Sequence, residues 1–257
     1  VYFYWLMKHV VMGPLLKFIG RPTTRGAEHI PPSGGALIVS NHLAVADSFY
    51  MPLQIRRRVT FLAKQEYFTT PGIKGKLMKF FFSSAGQVPV DRTSGSAAQA
   101  AIDTAKRLLG MGALVGIYPE GTRSPDGRLY RGKTGAARMA IESNVPIIPV
   151  VMVGTDEVNP IGSRMWRRGY VQTIFGPPVK IDDIDLTTNS RAAERLVTNR
   201  IMKALQDLSG QQYVDLYAAK VKSVMDKTGK DADTVVAELE AASAHRPTEL
   251  DEVPDAK

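Results

Sequence analysis

The chain is predicted to be an α/β protein: a mostly parallel sheet flanked by helices, with an N-terminal interfacial helix and a C-terminal helical extension. Three observations lead there. Short apolar runs alternate with helix-period stretches through the first two thirds of the sequence, the pattern of a parallel sheet with crossover helices. Chemically capable residues follow directly on strand candidates, where sites of such sheets gather. After Pro178 the pattern becomes helical only.

Taken in order, Val1 to Ile19 is crowded with aromatic and aliphatic residues and interrupted by Lys8, His9, Gly13-Pro14 and Lys17. A membrane span wants about 20 mostly uninterrupted apolar residues, and a signal peptide wants a basic leader and a small-residue cleavage site. An interfacial helix is therefore expected, its lysines reaching toward lipid phosphate; a helix packed on the core is the alternative. Gly34-Gly35 leads into a strand over Ala36–Val39 that ends at Ser40. Further strands are expected at Val59–Ala63, Gln87–Val90, Ala113–Tyr118, Ile147–Val153 and Tyr170–Phe175, with helices at Ser48–Ile55, Ile73–Phe82, Ser96–Leu109 and Thr134–Glu142. Amphipathic helices are expected at Ser190–Leu208, Tyr213–Met225 and Ala232–Ala242. The acidic, Pro-containing end from His245 to Lys257 reads as a mobile tail.

Composition narrows the chemistry. A length of 257 residues can bury a sizeable core. Lysine and arginine total 33 against 25 acidic residues, a net charge of +8, which points to an anionic partner. The absence of cysteine excludes disulfides, thiolate nucleophiles and cysteine-held zinc. The 4 histidines form no HExxH pair, so no metal site is expected.

His42 and Asp47, in Ser40-Asn41-His42-Leu43-Ala44-Val45-Ala46-Asp47, are the candidate reactive pair. A neutral imidazole can accept a proton near pH 7, and a carboxylate on its other nitrogen fixes the tautomer and stabilises the imidazolium. Residues five apart on a helix point roughly 140° away from each other, so the two meet only if the chain turns between them. The end of the Ala36–Val39 strand supplies such a turn. A surface histidine and a helix-capping aspartate are the competing interpretation.

Three more segments join this pair: Gly86-Gln87-Val88-Pro89-Val90-Asp91-Arg92, Tyr118-Pro119-Glu120-Gly121-Thr122-Arg123-Ser124 and Val145-Pro146-Ile147-Ile148-Pro149-Val150. In this order and at these intervals the four resemble the blocks of the glycerolipid acyltransferases, the family that includes 1-acylglycerol-3-phosphate acyltransferases. The resemblance runs from about Arg25 to Pro178; with the residue patterns on either side of it, the expected division is an N-terminal membrane-interface helix (1–24), an acyltransferase domain (25–209), a C-terminal helical extension (210–244) and a tail (245–257). It implies transfer of an acyl group from acyl-CoA or acyl carrier protein, a co-substrate with no further cofactor, to a hydroxyl of a phosphate-bearing glycerol. His42 would be the base and Asp47 its partner. Arg123 and Arg92 would bind the acceptor phosphate with forked donors, beside Lys64, Thr122 and Glu120, while Gly121 lets the backbone approach closely. Backbone N–H groups at Val88 and Val90 would serve the developing oxyanion. Membrane lipid, an anionic bilayer surface and the acyl donor are the implied partners, at the cytoplasmic face. Glycerol 3-phosphate or another lysophospholipid is the alternative acceptor, and a non-catalytic lipid-surface protein the alternative of another class.

Two features compete for other roles. Gly127-Arg128-Leu129-Tyr130-Arg131-Gly132-Lys133-Thr134 fits the GxxxxGK[ST] phosphate-loop pattern, but a polar stretch replaces the strand that should enter it, and Leu129 and Tyr130 are bulky for such a loop. Lys133 is instead expected to help bind anions. The basic–aromatic segments Ile73–Phe82 and Arg164–Arg168 suit anionic headgroups or coenzyme A phosphates, or else pack inward with their charges in water. No nucleic-acid module is recognisable, and nucleic acid is not an expected partner.

Overall fold

A computed structural model of the chain describes residues 2–64, 69, 71–72, 75, 87–90, 97–163, 165–186 and 190–242. Its centre is a seven-stranded sheet in the order β1-β8-β7-β2-β5-β3-β4, with β1 at Thr23–Arg25, β2 at Ala36–Ser40, β3 at Val59–Lys64, β4 at Gln87–Val90, β5 at Leu114–Ile117, β7 at Ile147–Val153 and β8 at Gln172–Phe175. Neighbours run parallel except β7 and β8, so β1 and β8 oppose the other five.

The apolar runs are continuous because both sheet faces are covered. Successive side chains of β2 point opposite ways. Leu37 and Val39 join a core with Val115, Ile147 and Val151 beneath α4 (Ala97–Gly110), α5 (Gly135–Ser143) and α7 (Ser190–Ser209). Ala36 and Ile38 join Leu114, Ile148 and Val150 on the other face, beneath Leu16 of α2 (Met12–Gly20) and Tyr50 and Met51 of α3 (Asp47–Gln54).

The N-terminal segment packs on the core by one face, the alternative expected for it, and leaves apolar side chains exposed on the other. It begins with α1 (Tyr2–Leu6) and a π-helical turn (Met7–Val11), then α2. One face is docked: Lys8 is buried and donates to the carbonyl of Ile55, and the Tyr50 hydroxyl donates to Leu16 O at 3.0 Å. A Cβ on Gly20 would come within 2.3 Å of that hydroxyl, so only glycine allows the approach. Lys8 therefore does not reach toward lipid as the sequence led us to expect; burial lowers its pKa to about 8. The opposite face leaves Leu6, Val10, Val11, Leu15 and Phe18 exposed.

Other departures are local. The helix expected at Tyr213–Met225 begins only at α8 (Ala218–Thr228), because Tyr213–Val214 is a short strand, β9. It pairs with β6 (Leu129–Tyr130), which lies inside the phosphate-loop pattern. Leu129 and Tyr130 are both fully buried, so that pattern is a strand and not a nucleotide loop. The chain continues to α9 (Ala232–Ala241), and a four-residue α6 (Thr155–Val158) follows β7. Trp166 packs on Phe49 and Tyr50, while Arg167 and Arg168 stay exposed. Most of Ile73–Phe82, Arg164 and the tail from His245 lie outside the described residues.

Candidate active site

The carboxyl end of β2 delivers Asn41 and His42, and the chain then turns through Leu43–Ala46 into α3, whose first residue is Asp47. The turn closes around the aspartate. Its Oδ2 accepts the His42 Nδ1–H at 2.8 Å and the backbone N–H groups of Leu43 at 2.8 Å and Ala44 at 3.0 Å. Buried Ala44 and Ala46 leave room for so tight a wrap. Asp47 is fully buried and the His42 side chain is 17% exposed. A carboxylate on Nδ1 places the ring proton there and leaves Nε2 as the basic nitrogen.

The imidazole is held from the side as well. Its ring stacks on Tyr118 at 3.8 Å between centroids and 10° between planes, and Tyr118 in turn lies against Phe61. The Tyr118 hydroxyl shares a 2.9 Å hydrogen bond with Ser48 Oγ. Burial, with the charge of Asp47 added, raises the phenol pKa well above its ordinary value.

Residues 118–124 are stitched to the histidine's own backbone. The His42 N–H donates to Glu120 Oε1 at 3.2 Å, and its carbonyl accepts from the Ser124 N–H at 2.7 Å. Glu120 Oε2 accepts from the Tyr130 N–H at 2.9 Å. Each oxygen of this buried carboxylate thus takes a backbone N–H, a bracing arrangement the sequence did not reveal. Burial pushes its pKa to about 8, against the lowering effect of the Tyr130 and His42 N–H groups and of Lys222. Gly121, at φ +74°, turns the chain back, and the stem of Lys133 packs over it, 3.1–3.2 Å from where a Cβ would stand. Thr122 and Arg123 follow, half-buried. Among the described residues no carboxylate pairs with Arg123.

The remaining candidates divide. Lys64 ends β3 with its backbone beside Val90. Val88 and Val90 lie on edge strand β4, three strands from β2, about 14 Å by ordinary strand spacing. Arg92 lies outside the described residues. Among the described residues no three His, Cys, Asp or Glu side chains could hold a metal ion.

Several residues around the site had no role assigned from sequence. Asn41 exchanges hydrogen bonds with the Met152 backbone at 3.0 and 2.8 Å and donates to Gln211 Oε1 at 2.9 Å, which ties β2 to β7 and to the C-terminal extension. Lys222 of α8 donates to Thr122 Oγ1 at 3.2 Å and to the Arg123 carbonyl. The position of Tyr118, directly before Pro119-Glu120-Gly121, could have marked it. No local signal marks Lys222, about 100 residues away from its partners.

Comparison with known proteins shows the family and the fold. Residues 21–153, just over half the chain, match the family model described as acyltransferase. The chain is 32% identical over 176 residues to the chloroplastic 1-acyl-sn-glycerol-3-phosphate acyltransferase LPAT1 of Arabidopsis thaliana, covering 66% of this chain and 48% of that protein. It is 30% identical over 190 residues to the human 1-acyl-sn-glycerol-3-phosphate acyltransferase alpha, covering 74% and 65%. The matched part thus spans about half to two thirds of these relatives. The crystal structure of the 1-acyl-sn-glycerophosphate acyltransferase of Thermotoga maritima shares the fold, with a TM-score of 0.55 at 22% identity over 82% of this chain and 88% of that one.

Proposed function

The chain belongs to the acyltransferase family, and on that premise we propose that it acylates 1-acylglycerol 3-phosphate to phosphatidic acid, with acyl-CoA or acyl carrier protein as donor. The observation that carries this reading is the imidazole bound at Nδ1 by buried Asp47 and stitched through its own backbone to a loop bearing Arg123. In the proposed reaction Nε2 of His42 takes the proton of the acceptor hydroxyl as its oxygen attacks the thioester carbonyl. The carbon–sulfur bond then breaks, and the proton on Nε2 passes to the departing thiolate. Products are the new ester and the free thiol. Asp47 stabilises the transient imidazolium. Arg123 and Thr122 receive the phosphate, with Lys64 and Arg92 the further cations proposed for it.

Glu120 enters this scheme from within the acceptor loop as a buried brace for the His42 backbone, each of its oxygens taking one backbone N–H. We place the protein peripherally on the cytoplasmic face of a membrane through the exposed apolar face of α2. No helix of the described residues is long and apolar enough to cross a bilayer.

The test is an acceptor panel with acyl-CoA and acyl carrier protein as donors, read by thiol release and by chromatography of positional isomers. Phosphatidic acid formed from lysophosphatidate at a rate well above all other acceptors supports the reading. Preference for glycerol 3-phosphate or a zwitterionic lysophospholipid replaces the acceptor, and both acyl-CoA and acyl carrier protein donors left intact with every acceptor leave only a lipid-surface protein.

A further inference from the structure

The C-terminal extension lies beyond the part matched by the family model, yet it is built into the wall of the site. Strand β9 pairs with β6, Tyr130 to Val214. Tyr130, Val214, Ala218, Val221, Val235 and Val236 form a separate buried cluster. Tyr130 is the residue whose N–H braces Glu120, so β6 is held from both sides. Gln211, at the start of the extension, accepts from Asn41 beside His42.

This anchoring fixes the register of α8. Val221 is fully buried against the cluster, and the next residue, Lys222, reaches the Thr122–Arg123 segment. Its ammonium donates to the Arg123 carbonyl and to Thr122 Oγ1 at 3.2 Å. An ammonium has three N–H donors, which leaves one beyond these two. The Arg123 charge lies close enough to oppose that of Lys222. Among the described residues neither has a carboxylate within ion-pair distance; Glu120 and Asp226 attract Lys222 only from beyond that range, and Glu120 has both oxygens engaged by backbone N–H groups. Lys133 packs over Gly121 on the same loop. Two like charges forced together at a half-buried loop are a standing cost that a dianionic ligand offsets.

We propose that the C-terminal extension completes the acceptor site: Lys222 positions the Thr122–Arg123 segment and gives its remaining N–H to the acceptor's phosphate. The inference rests on the proposed acceptor being a phosphate monoester. Lys222 is thus a positioning and binding residue supplied from outside the matched domain.

The experiment compares the parent chain with Lys222→Met, Lys222→Arg, Arg123→Ala and, on the exposed side of the same helix, Lys220→Met. The acceptor is 1-oleoylglycerol 3-phosphate in mixed micelles, the donor oleoyl-CoA, and each KM and kcat is read by thiol release beside a thermal melt. Losing a charge-assisted hydrogen bond should raise the acceptor KM of Lys222→Met about tenfold or more, with the donor KM within about twofold of the parent. Lys222→Arg should recover most of the loss, and Lys220→Met should match the parent. Should Lys222→Met melt too early to assay, Lys222→Gln keeps a donor for the Arg123 carbonyl without the charge and is judged by the same criterion. An unchanged acceptor KM, an equal rise in both KM values, or an arginine variant as impaired as the methionine variant overturns the inference. An acceptor defect in Arg123→Ala but none at Lys222 removes the extension from the site and leaves the proposed function standing. A parent chain that ignores lysophosphatidate removes both.

Discussion

At the scale of single residues, the site is a carboxylate wrapped by its own turn and a histidine clamped on two sides. Asp47 accepts two backbone N–H groups as well as the imidazole, so Asp47→Asn alters both the charge behind the ring and the geometry of the turn. An asparagine that turns its amide N–H toward Nδ1 favours the tautomer with the proton on Nε2, where a base is needed. Turnover should fall on the order of 10²–10⁴-fold, and a single-turnover assay on folded protein checks it. Glu120 makes a different prediction. Its carboxyl is raised to about 8 in the folded chain from an ordinary value near 4.3. The folded state therefore holds the proton across that window where the unfolded state has lost it. The contribution of Glu120 to stability is full below the unfolded pKa and is lost as pH rises through the folded one. Unfolding free energies measured from pH 5 to 9 should decline by up to a few kcal/mol more in the parent than in Glu120→Gln. Parallel profiles would show that the two N–H bonds already cancel the cost of burial. The His–Asp pair was legible because a strand end and a five-residue spacing are local. The bracing role of Glu120 was not, since it depends on which backbone donors the fold delivers to a buried carboxylate.

Among the elements, the N-terminal helix shows how a single amphipathic stretch answers two demands. Tyr50 and Gly20 lock α2 against α3, while Phe18 of α2 and Val10 of the π-helical turn before it are 62% and 63% exposed. Arg168 lies over the Phe18 ring at 4.5 Å, so basic and aromatic side chains border one surface, as an anionic interface requires. Deleting the helix would strip Leu16 from the core, so point changes are the better probe. Val10→Asp with Phe18→Asp should weaken sedimentation with phosphatidylglycerol vesicles at least tenfold, given about 1.5–3 kcal/mol for burying one large apolar side chain, without lowering the melting temperature. Undiminished binding would move the anchor elsewhere on the chain. The strands expected at β2, β3, β4, β5, β7 and β8 are present, because short length and flanking turn residues distinguish a buried strand well. The short β1, β6 and β9 were invisible, two or three residues each, too brief to carry a period. Tyr213–Val214 was absorbed into a helix because only its partner, β6, makes it a strand.

For the whole molecule, the arrangement joins an exposed apolar surface, a basic loop and the His42–Asp47 pair on one scaffold. A net charge of +8 favours an anionic surface and an anionic acceptor alike, and screening by salt should weaken the first more than the second, since exposed charges are screened more than buried ones. Vesicle binding should therefore fall steeply between about 0.05 and 0.5 M salt, while the acceptor KM in detergent changes several-fold less; equal sensitivity would place the acceptor's phosphate in bulk solvent rather than in the half-buried Thr122–Arg123 loop. The most direct measurement of the central claim is phosphatidic acid production from lysophosphatidate and acyl-CoA by the purified parent and His42→Ala proteins, analysed by mass spectrometry with folding confirmed by circular dichroism. The expected result is product from the parent and almost none from the folded variant. Product formed equally by both, or by neither, would contradict it.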